Sequence, residues 1–506
     1  MDMNMTLKQW ATKWLKSAPA GAPKAGGKWL QLQEAPNLLD EEWNLDQPLV
    51  QFSPYDMWTI RMACSGTAIF GETGSGKTSG SGAAIARSFL RAGFGGLVLC
   101  SKPEERRIWE RLARECGRET HLIIFGADQP HRFNFLTYEQ TRQSRGGGQV
   151  ENLVELLMKA TEFAEGRPSL AGEADFWERA SREMLRAAIS ILTLAQEPLS
   201  LEAIKKVITE APQSIEEAES EQWQQSSYCA QMIAKGQENA TSPRDHHDWM
   251  SSGRYWMQQF AALADRTRSS VVATFTSVAD SLNHGIAWEL FGTETNVVPE
   301  VTYKHGAIII LDLPLQEYFA VGRLCQSLFK YLFQRAMLQR DVELHPRPVF
   351  LWCDEAQNFL SADDARFQSV ARSSRVCSVL LSQSTSGYYA LLKGSGRDEI
   401  NALLGNLTTK VFHANSDQNT NQYAADLIGK HWRSVANYST SRSTGNSNSS
   451  AGGSQQLVYK IEPVEFTTLR KGGPQNNLEV DAVVYQGGRA WTASSDTYMR
   501  TVFKQG

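Results

Sequence analysis

Eight residues constrain this chain more than any other stretch of it: Gly71-Glu-Thr-Gly-Ser-Gly-Lys77-Thr78, set directly after the apolar run Thr67–Phe70 and before a helical pattern over 79–92. A glycine-rich turn between strand and helix lets backbone N–H groups close round a phosphate, and the helix N-terminus adds partial positive charge. In that frame Gly71, Thr73, Gly74, Ser75 and Gly76 form the cradle. Lys77 reaches the β- and γ-phosphates, and the Thr78 hydroxyl is a ligand for Mg2+. The predicted cofactors are ATP and Mg2+.

A strand must follow the helix if the turn is to sit at the edge of a sheet, and the pattern obliges. Apolar runs at 96–100 and 122–125 flank a charged helical stretch at 103–116, and the same alternation returns at 307–311, 349–353, 378–382 and 409–413. Strands alternating with helices predict a parallel sheet covered on both faces. Between about 149 and 296 the strand signal stops, and helical periodicity takes over at 152–163, 176–193 and 248–263. This predicts an all-α domain inserted into the α/β core. The boundaries drawn are an N-terminal arm at 1–50, a discontinuous nucleotide-binding domain at 51–148 and 297–506, and the insertion at 149–296. The Ser/Gly-rich stretch 439–456 reads as a flexible loop.

Composition excludes more than it selects. With 51 Lys and Arg against 55 Asp and Glu, the formal net charge is −4, so contact with nucleic acid has to come from local basic elements. Seven scattered cysteines without a CxxC pair predict a reducing compartment. No run approaches 18 consecutive apolar residues and no signal peptide is visible. The expected location is cytoplasmic, with no transmembrane segment and at most peripheral recruitment to the inner membrane.

An ATPase needs a carboxylate on a strand near the phosphate cradle. Pro348-Val-Phe-Leu-Trp-Cys-Asp354-Glu355 supplies two: Asp354 for the Mg2+ shell and Glu355, pointing the other way, to polarise the attacking water. Gln383, at the end of the next strand, is placed to sense the γ-phosphate. Asp245-His246-His247-Asp248 is not read as a metal site, since adjacent histidines on a helix diverge by about 100°.

Taken in order, these segments resemble the type IV coupling proteins, the TraG/TraD-like ATPases of bacterial conjugation within the FtsK/HerA superfamily. The resemblance rests on Gly71 to Thr78; on Leu97-Val-Leu-Cys-Ser-Lys102-Pro103-Glu104, which is similar to the family's Asp-Pro-Lys-Gly-Glu segment; on Asp354-Glu355-Ala-Gln-Asn; on the Arg372-to-Gln383 spacing; and on Leu404 to Phe412. Two departures stand out: the family's two transmembrane helices are lacking, and Ser101-Lys102-Pro103 replaces Asp-Pro-Lys. The resemblance implies a RecA-like P-loop domain with a parallel-rich central sheet plus an inserted all-α domain. It implies an ATP-hydrolysing DNA translocase that couples relaxase-bound DNA, accessory proteins or effectors to a type IV secretion channel.

By the same resemblance the active form is a homo-hexamer whose sites lie between subunits, each completed by an arginine finger. Arg372 is the first choice and Arg375 the reserve; Arg266 and Arg268 match another family segment, with capping as the alternative. Tyr388, Lys393 and Arg397 are candidates for gripping DNA, single-stranded or relaxase-linked, in the pore. Two other readings are a soluble FtsK/HerA-like DNA pump in plasmid maintenance or defence, and a non-motor substrate-docking adaptor.

Overall fold

The structure, a computed structural model, describes residues 43–165, 173–391, 396–443 and 446–506. Most of the expected N-terminal arm and Lys393 lie outside the described residues. The chain divides into two compact units. Over the described residues one comprises 125–298 and 318–329, and the other 43–124, 299–317 and 330–506.

The larger unit is built on a sheet. Its strands are β1 (Pro48–Ser53), β2 (Asp56–Thr59), β3 (Thr67–Phe70), β4 (Gly95–Leu99), β5 (Leu122–Gly126), β6 (Ile308–Asp312), β7 (Val349–Cys353), β8 (Val376–Ser382), β9 (Thr409–Phe412), β10 (Lys430–Ser443), β11 (Asn446–Tyr459), β12 (Glu479–Gln486) and β13 (Tyr498–Lys504). Nine of them form one sheet in the order β13-β12-β9-β3-β8-β7-β4-β6-β5. From β9 to β6 every neighbour is parallel, and β12 and β13 add an antiparallel border. The strands β3, β4, β7, β8 and β9 are buried at every residue, which is why they read as continuous apolar runs and not as alternating ones. The expected α/β class with a parallel-rich sheet is borne out.

Parallel strands end at the same edge, so the order β9-β3-β8-β7-β4 brings five C-terminal ends side by side. One face of the sheet is anchored by stacked aromatics: Trp58 on Phe89, Phe89 on Phe350, and Phe350 on Trp109. Each such pair adds about 0.5–1.5 kcal/mol beyond its buried area. They tie the helices Ala83–Arg91 and Glu104–Glu115, which follow the phosphate-type turn and β4, to the strand that carries the acids.

The smaller unit is helical over its described residues apart from the end of β5 and an isolated bridge between Phe133 and Thr295. It begins at 125 and takes in 318–329, wider than the expected 149–296. Its helix starts are written in serine: Ser200, Ser214, Ser220, Ser227 and Ser242 each accept from a backbone N–H inside the first turn. Asp245 closes a capping box with Ser242, so this aspartate serves the helix end. No cluster of three or more His, Cys, Asp or Glu side chains that could hold a metal occurs among the described residues. Arg268 is buried, bonded to the carbonyls of Gln213 and Leu263 and paired with Asp265, a bracing role.

The stretch 439–456 departs from expectation. Where described, it is strand, part of the antiparallel pair of β10 and β11 in which Lys430 faces Tyr459 and Ser443 faces Asn446. Cross-strand backbone pairing carries this stretch, which a reading from composition does not register.

Candidate active site

The site assembles on the edge where the five strands end. Beyond β3, Gly71 N–H donates to Ser382 O (3.2 Å) at the end of β8, and Glu72 N–H to Ala414 O (3.0 Å) beyond β9. Gly76 has φ +86°, and a Cβ there would come within 2.6 Å of Val480 Cγ2, so glycine is required by both backbone and neighbour. The N–H groups of Gly74, Gly76 and Lys77 donate to nothing among the described residues. Ser75 Oγ is buried without a partner. Unspent donors round a turn at a helix start fit a phosphate group. The helix opens with a widened turn, Gly82 N–H reaching back to Lys77 O at 2.8 Å.

The Thr78 hydroxyl donates to Asp354 Oδ2 at 2.7 Å. Hydroxyl and carboxylate together are the oxygen donors a Mg2+ ion takes from protein, so the residues present fit the metal. Glu355 sits at φ 48°, ψ 48°, a left-handed conformation uncommon outside glycine, asparagine and aspartate, which turns its side chain toward Lys77. Three groups converge on Oε1: Lys102 Nζ at 2.8 Å, Gln383 Nε2 at 3.2 Å and Lys77 Nζ at 3.8 Å. Gln357 Nε2 donates to Oε2 at 2.8 Å. Burial pushes the Glu355 carboxyl up, but these hydrogen bonds and the Lys77 charge overcome it and hold it at about 2. It is an ionised carboxylate at neutral pH.

Two contributors escaped the sequence reading. Glu104 is exposed, whereas Glu105 is buried, accepts from Ser101 N–H (3.0 Å) and lines a cavity of ≈ 20 Å3 with Thr78, Trp109 and Asp354. Burial, with Asp354 charge added, raises its carboxyl well above the usual range. The helical period around Trp109 and Leu112 was the signal that Glu105 faces inward. His413, at the end of β9, is buried. Its Nδ1 meets Asp481 O at 3.0 Å and its Nε2 the Ser81 hydroxyl at 2.7 Å. Only a donor suits a carbonyl, so the neutral ring carries its proton on Nδ1 and accepts from Ser81. Glu72 ties the turn to Ser416 and Lys471.

The remaining predicted residues separate. Arg372 is exposed at the end of the helix Ala362–Ala371, and its guanidinium makes no bond among the described residues. Arg375 is committed to Pro346 O at 2.9 Å. Tyr388 is a correction: its ring is fully buried against Phe70, where no base can stack on it. The neighbouring Tyr389 takes the surface place, with Arg397 over its ring at 5.5 Å.

Residues 348–470 match the family described as the TraM recognition site of TraD and TraG. The unbound conjugative coupling protein TrwBdeltaN70 superposes with a TM-score of 0.59 at 14% identity, covering 95% of either chain. The fold is that of the conjugative coupling proteins. The coupling protein TrwB with the non-hydrolysable ATP analogue ADPNP gives 0.57, and with ADP and Mg2+ 0.54, each at 14% identity over 95% of this chain and 96% of that one. No curated protein matches the sequence. The matched segment 348–470 holds Asp354, Glu355, Arg372, Gln383 and the β10–β11 hairpin. No helix among the described residues is long and apolar enough to cross a membrane.

Proposed function

We propose that this chain is an ATP-hydrolysing coupling protein that moves DNA toward a type IV secretion channel. The observation that supports it most directly is the Thr78–Asp354 contact beside a Glu355 carboxylate held by Lys102, Gln383 and Lys77. The cradle N–H groups and Lys77 bind the phosphates, and Lys77 exchanges its 3.8 Å contact with Glu355 for the γ-phosphate. Thr78 and Asp354 would hold Mg2+, which would supply positive charge beside the phosphates. Glu355 orients water and accepts its proton, and Gln383, bonded to that base, registers its release. Arg372, free at the surface, completes the site of a neighbouring subunit in a homo-hexamer.

The partners on this reading are DNA, a relaxase or accessory protein, and secretion components, met on the cytoplasmic side of the inner membrane. A non-motor adaptor has no need of a carboxylate so elaborately held. The test is ATP turnover against protein concentration, with and without single- and double-stranded DNA, for wild type, Lys77→Ala and Glu355→Gln. Cooperative, DNA-raised turnover lost in both variants is expected; wild-type turnover that ignores DNA and concentration would overturn the motor reading.

A further inference from the structure

The hairpin of β10 and β11 stands apart from the rest of its unit. Its root is fastened: Gly429 turns the chain at φ +92° out of the helix Gln418–Ile428, and Lys460 N–H returns to Gly429 O at 3.0 Å. The Tyr459 hydroxyl donates to Asp426 at 2.7 Å, and Lys460 pairs with Asp496. Residues 431–434 and 452–457 are exposed, on both faces of the ribbon. Trp432 and Leu457 are cross-strand partners, so they share a face, and they are 66% and 50% exposed. A two-stranded ribbon is marginal by itself, and an exposed indole on it offers an aromatic face to an occupant.

Charge names the occupant. In a chain with a net charge of −4, residues 430–460 contain no Asp or Glu at all, while Lys430, His431, Arg433 and Arg442 fall within the hairpin and the rest is rich in Ser, Asn, Thr and Gly. On the face of Trp432, Lys430 lies over the Tyr459 ring at 4.3 Å; Arg433 points to the opposite face. An acid-free strip of cations round a solvent-facing aromatic suits a sugar-phosphate backbone with unpaired bases, since phosphates take the cations and a base takes the indole. A protein partner would need a wider apolar patch than Trp432 and Leu457 provide.

We propose that the β10–β11 ribbon is a binding site for single-stranded nucleic acid, with Trp432 stacking on a base and Lys430 and Arg433 engaging phosphates. This rests on the motor reading above and adds to it the element that meets the polymer.

The test is fluorescence anisotropy of a labelled single-stranded oligonucleotide with the full chain across a salt series, for wild type, Trp432→Ala and the double variant Lys430→Ala/Arg433→Ala. Trp432→Ala is expected to weaken binding by roughly tenfold with the salt slope kept. The double variant is expected to lower the slope by about 1.4, two contacts at about 0.7 each. Thermal melts and ATP turnover without DNA should match wild type in both. Unchanged affinity and slope would overturn the proposal, as would a loss that tracks a lowered melting temperature or is equal on a blunt duplex. DNA stimulation of wild-type turnover is read in parallel. Its absence would sink the motor reading, whereas stimulation and binding that survive in the ribbon variants would sink this inference alone.

Discussion

Lys102 Nζ lies 2.8 Å from Glu355 Oε1, one ångström closer than Lys77 Nζ, which approaches the same oxygen at 3.8 Å. Two ammonium groups thus share one carboxylate, and the nearer one lies outside the phosphate-binding turn. On the proposed reading Lys77 is drawn to a phosphate, and Lys102, placed beyond β4 next to β7, then keeps the Glu355 carboxylate ionised.

That arrangement fixes a pH dependence. Glu355, held at about 2, stays charged across the working range, and its contribution to stability is present above the ordinary carboxylate value and lost as pH falls toward 2. Lys102→Met removes the closest partner, so burial prevails and the acid limb of the turnover profile should move to higher pH. Activity at neutral pH falls by no more than about tenfold, whereas Glu355→Gln costs roughly 10^2–10^4-fold. A Lys102→Met profile superimposable on wild type would remove Lys102 from the role.

His413 predicts a second, separate titration. Burial, opposed by the Asp481 carbonyl and aided by Lys77 charge, lowers it to about 4. The unfolded chain takes up that proton near pH 6.5, so the stability His413 contributes is whole above 6.5 and drains as pH falls to 4, by ~3 kcal/mol at most. His413→Asn should flatten the melting temperature against pH in that window relative to wild type. Parallel curves would mean the ring is solvated.

Tyr388 offers a direct test of its burial. Its hydroxyl is buried and has no partner among the described residues. Tyr388→Phe should be neutral or stabilising by about 1 kcal/mol, and Tyr388→Ala should cost about 3–5 kcal/mol. Denaturant unfolding reads both. DNA affinity of the Phe variant should be that of wild type; a loss there would restore the residue to the pore.

The phosphate-type turn and the Asp354-Glu355 pair were legible because each is a short run whose chemistry depends on local order, between elements of clear periodicity. Lys102 was half legible: its place in the Leu97-to-Glu104 segment was noticed, but its contact with Glu355 depends on β4 lying beside β7, a pairing of strands separated by roughly half the chain. Glu105 and His413 depend likewise on which neighbours the sheet supplies. The ribbon was missed for another reason. Strands are read from alternating apolar residues, and 439–456 has almost none, so Ser, Asn and Gly spoke for a loop.

Arg372 makes a prediction that a single-subunit site cannot share. It ends its helix exposed and unpaired among the described residues, while Lys102 and Lys77 lie beside Glu355. If it serves a neighbour, Arg372→Ala should bind nucleotide as wild type yet lose turnover by roughly 10^3-fold or more. Lys77→Ala should fail at binding. Mixing the two inactive proteins then creates interfaces that pair an intact Lys77 with an intact Arg372, and turnover should reappear above the sum of the separate proteins. Mixtures that stay at that sum, under conditions where the subunits demonstrably co-assemble, would place the finger elsewhere.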